Sequence, residues 1–396
     1  GGQRTWCAAS FLPVTPGLVA GESIWQDRKA HLTDVRVWEE ALAYFSHAQR
    51  LFLARGGELL YLQVCNALRQ EETIVKTWCG EANLSLSPRE SSPAELHAAL
   101  ERGLSLALNA CPETVGKLAE FLDTGVESFT AKQTDFLSGG SKPRFASCGW
   151  CPEESWQEGW LFSVELLRLC EAVIDPIERL EMLEIACAMQ VLRSLCAQSA
   201  RYTRPDAKTT CPLGYLWAMS DPSGDKTIIK HISRRNVNAV QRLIHDAIRH
   251  PEILSTFKNE SERKKAYNEA DGRYGYKLFL TVAKRIGLIV PKRGAGARFV
   301  LNDKLLRFLT LSLLRPGERV TYETFKRLLL VHYGIAVDDE GLAESCTWSG
   351  TSRLTTLGGN ADSWLIDMLN ASGVLIRLSD SCSLVLNPFA SQEASE

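Results

Sequence analysis

The sequence predicts a mainly α-helical protein, with an N-terminal helical bundle or array followed by two helical units that each end in a small β-hairpin. Three observations carry this. Apolar residues recur at helical spacing over most of the chain, a stretch beginning at Leu278 is repeated from Trp364, and one block is basic while the rest is acidic. The 396 residues are 45% hydrophobic and 23% charged, a globular composition long enough for about two to four domains. No apolar run approaches the ~20 residues that cross a bilayer, so no membrane partner is expected. Net charge is −2, but residues 225–334 hold 23 Lys and Arg against 10 Asp and Glu, a net of +13 that leaves −15 elsewhere. A basic block in an acidic chain localises any polyanion contact to that block.

Residues 1–33 lack periodicity, and Pro13 and Pro16 predict an irregular segment. An acidic α-helical domain is predicted over 34–204. Its first helical pattern runs from Asp34 to Gln70 through Trp38, Leu42, Phe45, Leu51 and Leu53, then, after Gly56-Gly57, through Leu59, Leu60, Leu62 and Val64. Ser92-Pro93-Ala94-Glu95 reads as a helix start, with Ser as the cap, Pro in the first turn and Glu placed to reach back. Leu137 to Arg144 reads as a loop. Residues 153–202 are the most strongly helical part: Trp160, Leu161, Val164, Leu167 and Leu169 lead to Asp175-Pro176, which opens a second helix through Leu195 that no Pro or Gly interrupts. Residues 205–224, with Pro205, Pro212, Pro222 and Gly224, are predicted to be a linker, and 390–396 a disordered tail.

The repeat pairs Leu278–Asn302 with Trp364–Asn387. Each copy has an amphipathic helix, a glycine (Gly287 or Gly373), a short apolar strand, a polar turn and a second strand ending Val-Leu-Asn. The glycines stand where a helix ends in the left-handed conformation. Upstream of the first copy are helical patterns near Asn236–Arg249 and Ser261–Asn268; upstream of the second, Lys304–Leu314 and Thr321–Tyr333. Two helices, a third helix and a hairpin resemble the winged-helix variant of helix-turn-helix proteins over residues 228–388. That resemblance implies a basic winged helix at 225–303 and a second winged helix at 304–389.

The copies differ in charge. In the first, Tyr276, Phe279, Leu280, Ala283 and Ile286 share a core face, while Arg273, Lys277, Thr281 and Lys284 fall opposite, with Arg285 beside them; the turn adds Lys292, Arg293 and Arg298. A basic helix and basic wing suit a duplex, the helix entering the major groove and the wing touching phosphates. In the second copy Ser363, Asp367 and Asn370 take the equivalent helix positions and Ser379-Asp380-Ser381 the turn, which points to protein contact instead.

Other chemistry is weaker. Cys148-Gly-Trp-Cys151 has the spacing of a zinc or redox pair, but no second CxxC or CxxH completes a zinc site. The twelve cysteines, scattered through helical patterns in a chain with ample core, predict reduced thiols in a cytoplasm. No P-loop, HExxH or GxSxG occurs, so neither catalysis nor a cofactor is predicted. Arg201, Arg204, Arg234 and Arg235 flank the predicted linker and read either as an extension of the basic surface or, more often for such residues, as helix-end charges that favour C-terminal carbonyls. The expectation is a non-enzymatic, duplex-DNA-binding adaptor in a larger complex such as a bacterial antiviral defence or restriction system, with protein partners on the helical domain and second unit. A pure assembly scaffold is the alternative. The chain opens Gly1-Gly2-Gln3, and catalytic parts upstream in a longer reading frame are a third expectation.

Overall fold

The computed structural model describes residues 3–4, 23–25, 45–47, 56–117, 151–206, 209–223, 227–251, 259–350, 359–379 and 382–389. The fold is mainly helical with small sheets, and the largest hydrophobic cluster runs from Leu60 in the first helix to Val385 in the last strand. The loop read over 137–144, Cys148, Asp380, Ser381 and the tail 390–396 lie outside the described residues.

Two expectations at the N-terminus are corrected. Strands β1 (Gln3–Arg4) and β2 (Ser23–Trp25) fall in the segment read as irregular, and β3 (Phe45–His47) in the pattern read as helix. The three pair antiparallel, with Phe45 opposite Trp25. Aromatic residues directly opposite one another on adjacent strands favour pairing, and helical spacing does not register that long-range contact.

The helical half comprises α1 (Gly56–Leu68), α2 (Glu72–Glu81), α3 (Pro88–Ser91), α4 (Pro93–Asn109), α5 (Trp156–Glu171) and α6 (Pro176–Thr203). Helix α4 starts where the sequence reads it, with Ser92 at the N-cap and Pro93 in the first turn, but the Ser92 side chain makes no cap bond; the reciprocal capping box is that of Ser87 and Glu90 on α3. At α6 the Asp175 carboxylate accepts from the Ile177 and Glu178 amides, ahead of Pro176. Helix α5 is buried on every side from Glu158 to Cys170, including Glu165 and Arg168.

Those buried charges are matched across the fold. Arg193 of α6 donates from Nη1 and Nη2 to the two Glu165 oxygens at 2.8 and 2.9 Å, and from Nη1 to the His332 carbonyl at 3.0 Å. Glu165 also accepts from His332 Nδ1 at 2.7 Å and the Tyr333 hydroxyl at 2.6 Å. A second set centres on Glu90, which accepts from Arg168 Nε at 2.6 Å and Arg315 Nε at 3.1 Å, while Arg168 Nη1 reaches the Leu313 carbonyl at 2.5 Å.

Within the segment read as a linker, 205–224, Cys211, Leu213 and residues 215–220 are core. Tyr215, Leu216, Trp217, Ala218 and Met219 have no exposed surface. Its prolines exclude a helix without excluding burial, and strand β4 (Trp217–Ala218) runs through the interior. Asn236 satisfies the adjacent backbone, accepting from the Ala218 amide at 2.9 Å and donating to the Leu216 carbonyl at 3.0 Å.

Beyond it lie two helix–hairpin units. The first has α7 (Thr227–Ile248), α8 (Glu260–Glu269), a π-helical turn at Ala270–Tyr274, α9 (Tyr276–Arg285), β5 (Ile289–Val290) and β6 (Arg298–Phe299). The second has α10 (Asp303–Leu313), β7 (Arg319–Thr321), α11 (Tyr322–Tyr333), β8 (Ile335–Ala336), α12 (Asp339–Trp348), α13 (Ser363–Ala371), β9 (Leu375–Arg377) and β10 (Ser383–Leu386). Helix α12 was not foreseen. Strands β5 and β6 pair as a hairpin, β7-β10-β9 form an antiparallel sheet, and β4 pairs in parallel with β8. Both repeat glycines have positive φ, +81° at Gly287 and +71° at Gly373, as the helix stops require. The repeat asparagines are fasteners: Asn302 donates to the Ile286 carbonyl and caps α10 through the Leu305 amide, and Asn387 donates to the Leu314 carbonyl.

Acid should dismantle this fold in two stages. Burial pushes His332 below its ordinary 6.5, against the opposing pull of Glu165. The folded state therefore resists a proton that the unfolded chain takes up, and stability is lost as pH falls below 6.5. Burial raises the Glu90 carboxyl, but the charge and hydrogen bond of Arg168, the charge of Arg315 and the Ser87 amide outweigh it and hold it at about 2, against 4.5. Its contribution is present above 4.5 and lost as pH falls toward 2. Urea unfolding across this range is expected to show both losses. Glu90→Gln should start less stable and flatten the limb below pH 4.5 by about one proton.

Candidate nucleic-acid interface

Helix α9 is amphipathic, and its packing decides which cations face water. Phe279, Val282 and Ala283 are buried, while Tyr276, Leu280 and Ile286 pack half-buried against the core. The helix rests on α6 and α7. Phe279, Phe299 and Trp217 form an aromatic triangle behind it, with centroids 5.8 to 6.3 Å apart, so the hairpin and helix share one wedge.

On the outer side Lys277, Thr281 and Arg285 are exposed and Lys284 half-buried, and Lys292 and Arg293 are exposed in the turn. Among the described residues none of Lys277, Lys284, Arg285, Lys292 and Arg293 makes an ion pair. Thr281 donates its hydroxyl to the Lys277 carbonyl at 2.7 Å, which occupies the group on its own helix. Two of the residues read as binding cations each make a contact within the protein. Arg273 lies in the π-helical turn rather than on α9 and pairs with Glu269 at 3.0 Å. Arg298 is half-buried and donates from Nη2 to the Pro222 carbonyl at 3.3 Å.

The turn leading into α9 is braced. Arg249, at the end of α7, forks onto Asp271 from Nη1 at 3.2 Å and Nη2 at 2.5 Å, and its guanidinium lies 4.8 Å from the Tyr267 ring centre. The Arg249 hydrogen bond holds the Asp271 carboxyl below its ordinary value. Gly275 admits the approach of Ile248, whose Cδ1 would stand 2.7 Å from any Cβ there. Single π-turns are frequent at functional sites, and this one sets the angle at which α9 leaves α8.

The neighbouring cations are largely spent on structure. Arg204 and Arg242 donate to the Trp348 and Ser349 carbonyls at the C-terminus of α12, with Arg204 4.8 Å from the Trp348 ring centre. Arg201 pairs with buried Glu158. Carboxylates of the helical half also meet the second unit: Lys304 with Glu181 at 2.8 Å, Arg307 with Glu178, and Arg315 with Glu90 at 3.1 Å.

The second unit presents a different surface. Asp367 and Asn370 of α13 are exposed and Ser363 is half-buried. Asp362, just before the helix, accepts from the Tyr322 hydroxyl at 2.9 Å and pairs with Lys326 at 3.2 Å, alongside Glu323 and Asp338. Cys151 is half-buried, its sulfur 2.9 Å from the Ser155 hydroxyl, and burial pushes its thiol up. Among the described residues no cluster of three or more His, Cys, Asp or Glu side chains could hold a metal, and no helix is long and apolar enough to cross a membrane.

Sequence reasoning left Arg234 of α7 between an extension of the basic surface and a helix-end charge, and did not place it among the binding residues. Arg234 is exposed between buried Ser233 and Asn236, and its guanidinium lies against Gly296 in the hairpin turn. The visible signal was its place opposite the apolar stripe of α7. Comparison with family models, curated proteins and solved structures finds no match in any of the three.

Arg249→Ala should free the turn before α9. Amide exchange over residues 270–276 is expected to accelerate by about tenfold while the helical half keeps its protection. Unchanged exchange would assign the brace to Gly275 packing instead.

Proposed function

We propose that the two C-terminal units are tandem winged helices, that the first grips duplex DNA, and that the chain serves as a non-enzymatic DNA-binding adaptor. The fold reading is supported by the element order of the second unit. Helix α10, strand β7, helix α11, the later helix α13 and the hairpin β9–β10 occur in sequence, and β7 pairs with the return strand β10. The first unit repeats the helix–glycine–hairpin portion, with a parallel bridge from Met219 to Phe299 on the outer flank of its hairpin.

One observation carries the DNA reading. The cations of α9 and its wing, Lys277, Lys284, Arg285, Lys292 and Arg293, make no ion pair among the described residues, whereas Arg249 and Arg273 in the turn before them each pair with a carboxylate. Unpaired Lys and Arg on a helix and its adjoining wing are what phosphate contact needs. The second unit, with Asp367 outward, and the helical half, with Tyr61, Leu106 and Ile177 exposed, offer surfaces for protein partners.

Fluorescence anisotropy of the full chain with a short duplex, from low to physiological salt, tests this. About five phosphate contacts give a log–log salt slope near −4 to −5. Lys277→Glu combined with Lys284→Glu should abolish binding with the thermal midpoint nearly unchanged, since neither side chain is an internal partner. Absence of binding by the parent chain at about 50 mM salt would leave the assembly-scaffold reading. Asp367→Ala should leave DNA affinity within about twofold, because the second unit stays off the duplex.

A further inference from the structure

We propose that Arg234 of α7 and Arg298 of β6 form a clamp for a single backbone phosphate at the root of the first unit's wing. The proposal rests on the duplex-binding reading above and adds a site that α9 does not supply.

The geometry begins at Gly296. A Cβ there would lie 3.2 Å from Arg234 Nη2 and 3.4 Å from both Cζ and Nε. Three guanidinium atoms at nearly equal distance place the flat face of Arg234 over this residue. Gly296 also has a φ of +84°, so the turn requires glycine there, and its bare Cα lets the guanidinium rest on it. Arg234, from a helix about sixty residues earlier in the chain, thus packs on the wing.

Arg298 stands two residues beyond Gly296. Burial first, and then the positive charge of Arg234, make its protonated form less favourable than usual, with Asp221 opposing. Arg234 lies over Gly296, two residues before Arg298, so the two positive charges share the root of the wing. Asp221, the nearby carboxylate, is occupied by the Ser223 amide at 2.8 Å and the Ser223 hydroxyl at 2.7 Å. Arg298 spends Nη2 on the Pro222 carbonyl, and its Nη1 has no partner among the described residues. Arg234 makes neither a hydrogen bond nor an ion pair among them. Two fixed forks of donors, alike in charge and without a shared carboxylate, match the oxygens of a phosphate, which would offset both charges and take up the donors together.

The position also suits a duplex. Gly296, on which Arg234 rests, belongs to the same turn as Lys292 and Arg293, where a wing would follow one strand while α9 entered the groove. The shared ligand chemistry is a phosphate oxygen pair. We assign it to a phosphodiester of the duplex rather than to a free phosphate.

The test uses the full chain, anisotropy with several unrelated duplexes across a salt series, and the variants Arg234→Gln, Arg298→Gln and the double. Each single variant is expected to weaken binding several-fold and equally for every sequence. The double variant should cost less than the product of the singles and shift the salt slope by about one unit, because one phosphate is lost. Arg234→Gln decides the matter if Arg298→Gln unfolds the wing, since Arg234 is exposed. Losses that multiply, or an Arg234→Gln variant with the parent's affinity and slope, would overturn the clamp while leaving the duplex reading intact. A parent chain that binds no duplex removes both. Stabilisation by millimolar inorganic phosphate that Arg234→Gln abolishes would make this a free-anion site and overturn the phosphodiester assignment.

Discussion

The Arg193–Glu165 pair holds the two halves of the chain in one register. Both residues are wholly buried, so each charge must be matched completely or be costly. The matching is nearly complete. Arg193 uses all three of its nitrogens, with Nε on Gln190 at 2.7 Å, and Gln190 passes the chain to Gln63 at 2.7 Å and on to Ser194. Glu165 takes two bonds from Arg193 and one each from His332 and Tyr333. Replacing such a network by apolar residues need not weaken a protein; removing one member strands the others. Its consequence here is registration, because α1, α5, α6 and α11 can satisfy these donors only when aligned together. The Glu90–Arg168–Arg315 set repeats the device at α3, α5 and the end of α10.

This arrangement explains the charge separation along the chain. Carboxylates of the acidic half go into the junction with the second unit, where they meet Arg168, Arg193, Lys304, Arg307 and Arg315. The first unit meets the same half through α6 and α7, and α7 buries Val237, Val240, Leu243 and Ile244. Among the described residues no carboxylate of that half pairs with Lys277, Lys284, Arg285, Lys292 or Arg293. A net charge of −2 for the whole chain conceals one neutralised junction and one open basic surface.

Much of this was legible beforehand, and the misses share a cause. The α9 cations could be read because a helix of known phase puts Lys277, Thr281 and Lys284 opposite Phe279 and Ala283. Gly287 and Gly373 could be read because a left-handed helix stop has one economical residue. Linear pattern fails where a distant partner decides. Glu158, Glu165, Arg168 and Arg193 look like surface charges on α5 and α6 and are buried, since each partner is an arginine, glutamate or carbonyl from another element. Residues 211–220 look like a linker because prolines and glycines flank them, although Leu213, Tyr215, Leu216, Trp217 and Met219 form an apolar run. Phe45 fits a helical phase and instead lies across from Trp25. Arg234 was passed over because its partner, Gly296, has no side chain to announce it.

The corrected segment has the largest consequence for the site. Trp217 packs face to face with Phe299 of the wing and edge to face with Phe279 of α9, while its backbone is bonded to Gly334 and its strand pairs with β8 of the second unit. One buried strand therefore touches the helix, the wing and the neighbouring unit. The angle between α9 and its hairpin is set by the core of the whole molecule rather than by the first unit alone. A surface for a rigid polyanion needs cations at fixed separations, and long side chains gain little from electrostatics if their backbones drift. Anchoring both elements on Trp217 supplies that fixity from behind. The outward face carries Lys277, Arg285, Lys292 and Arg293, none of which makes an ion pair among the described residues.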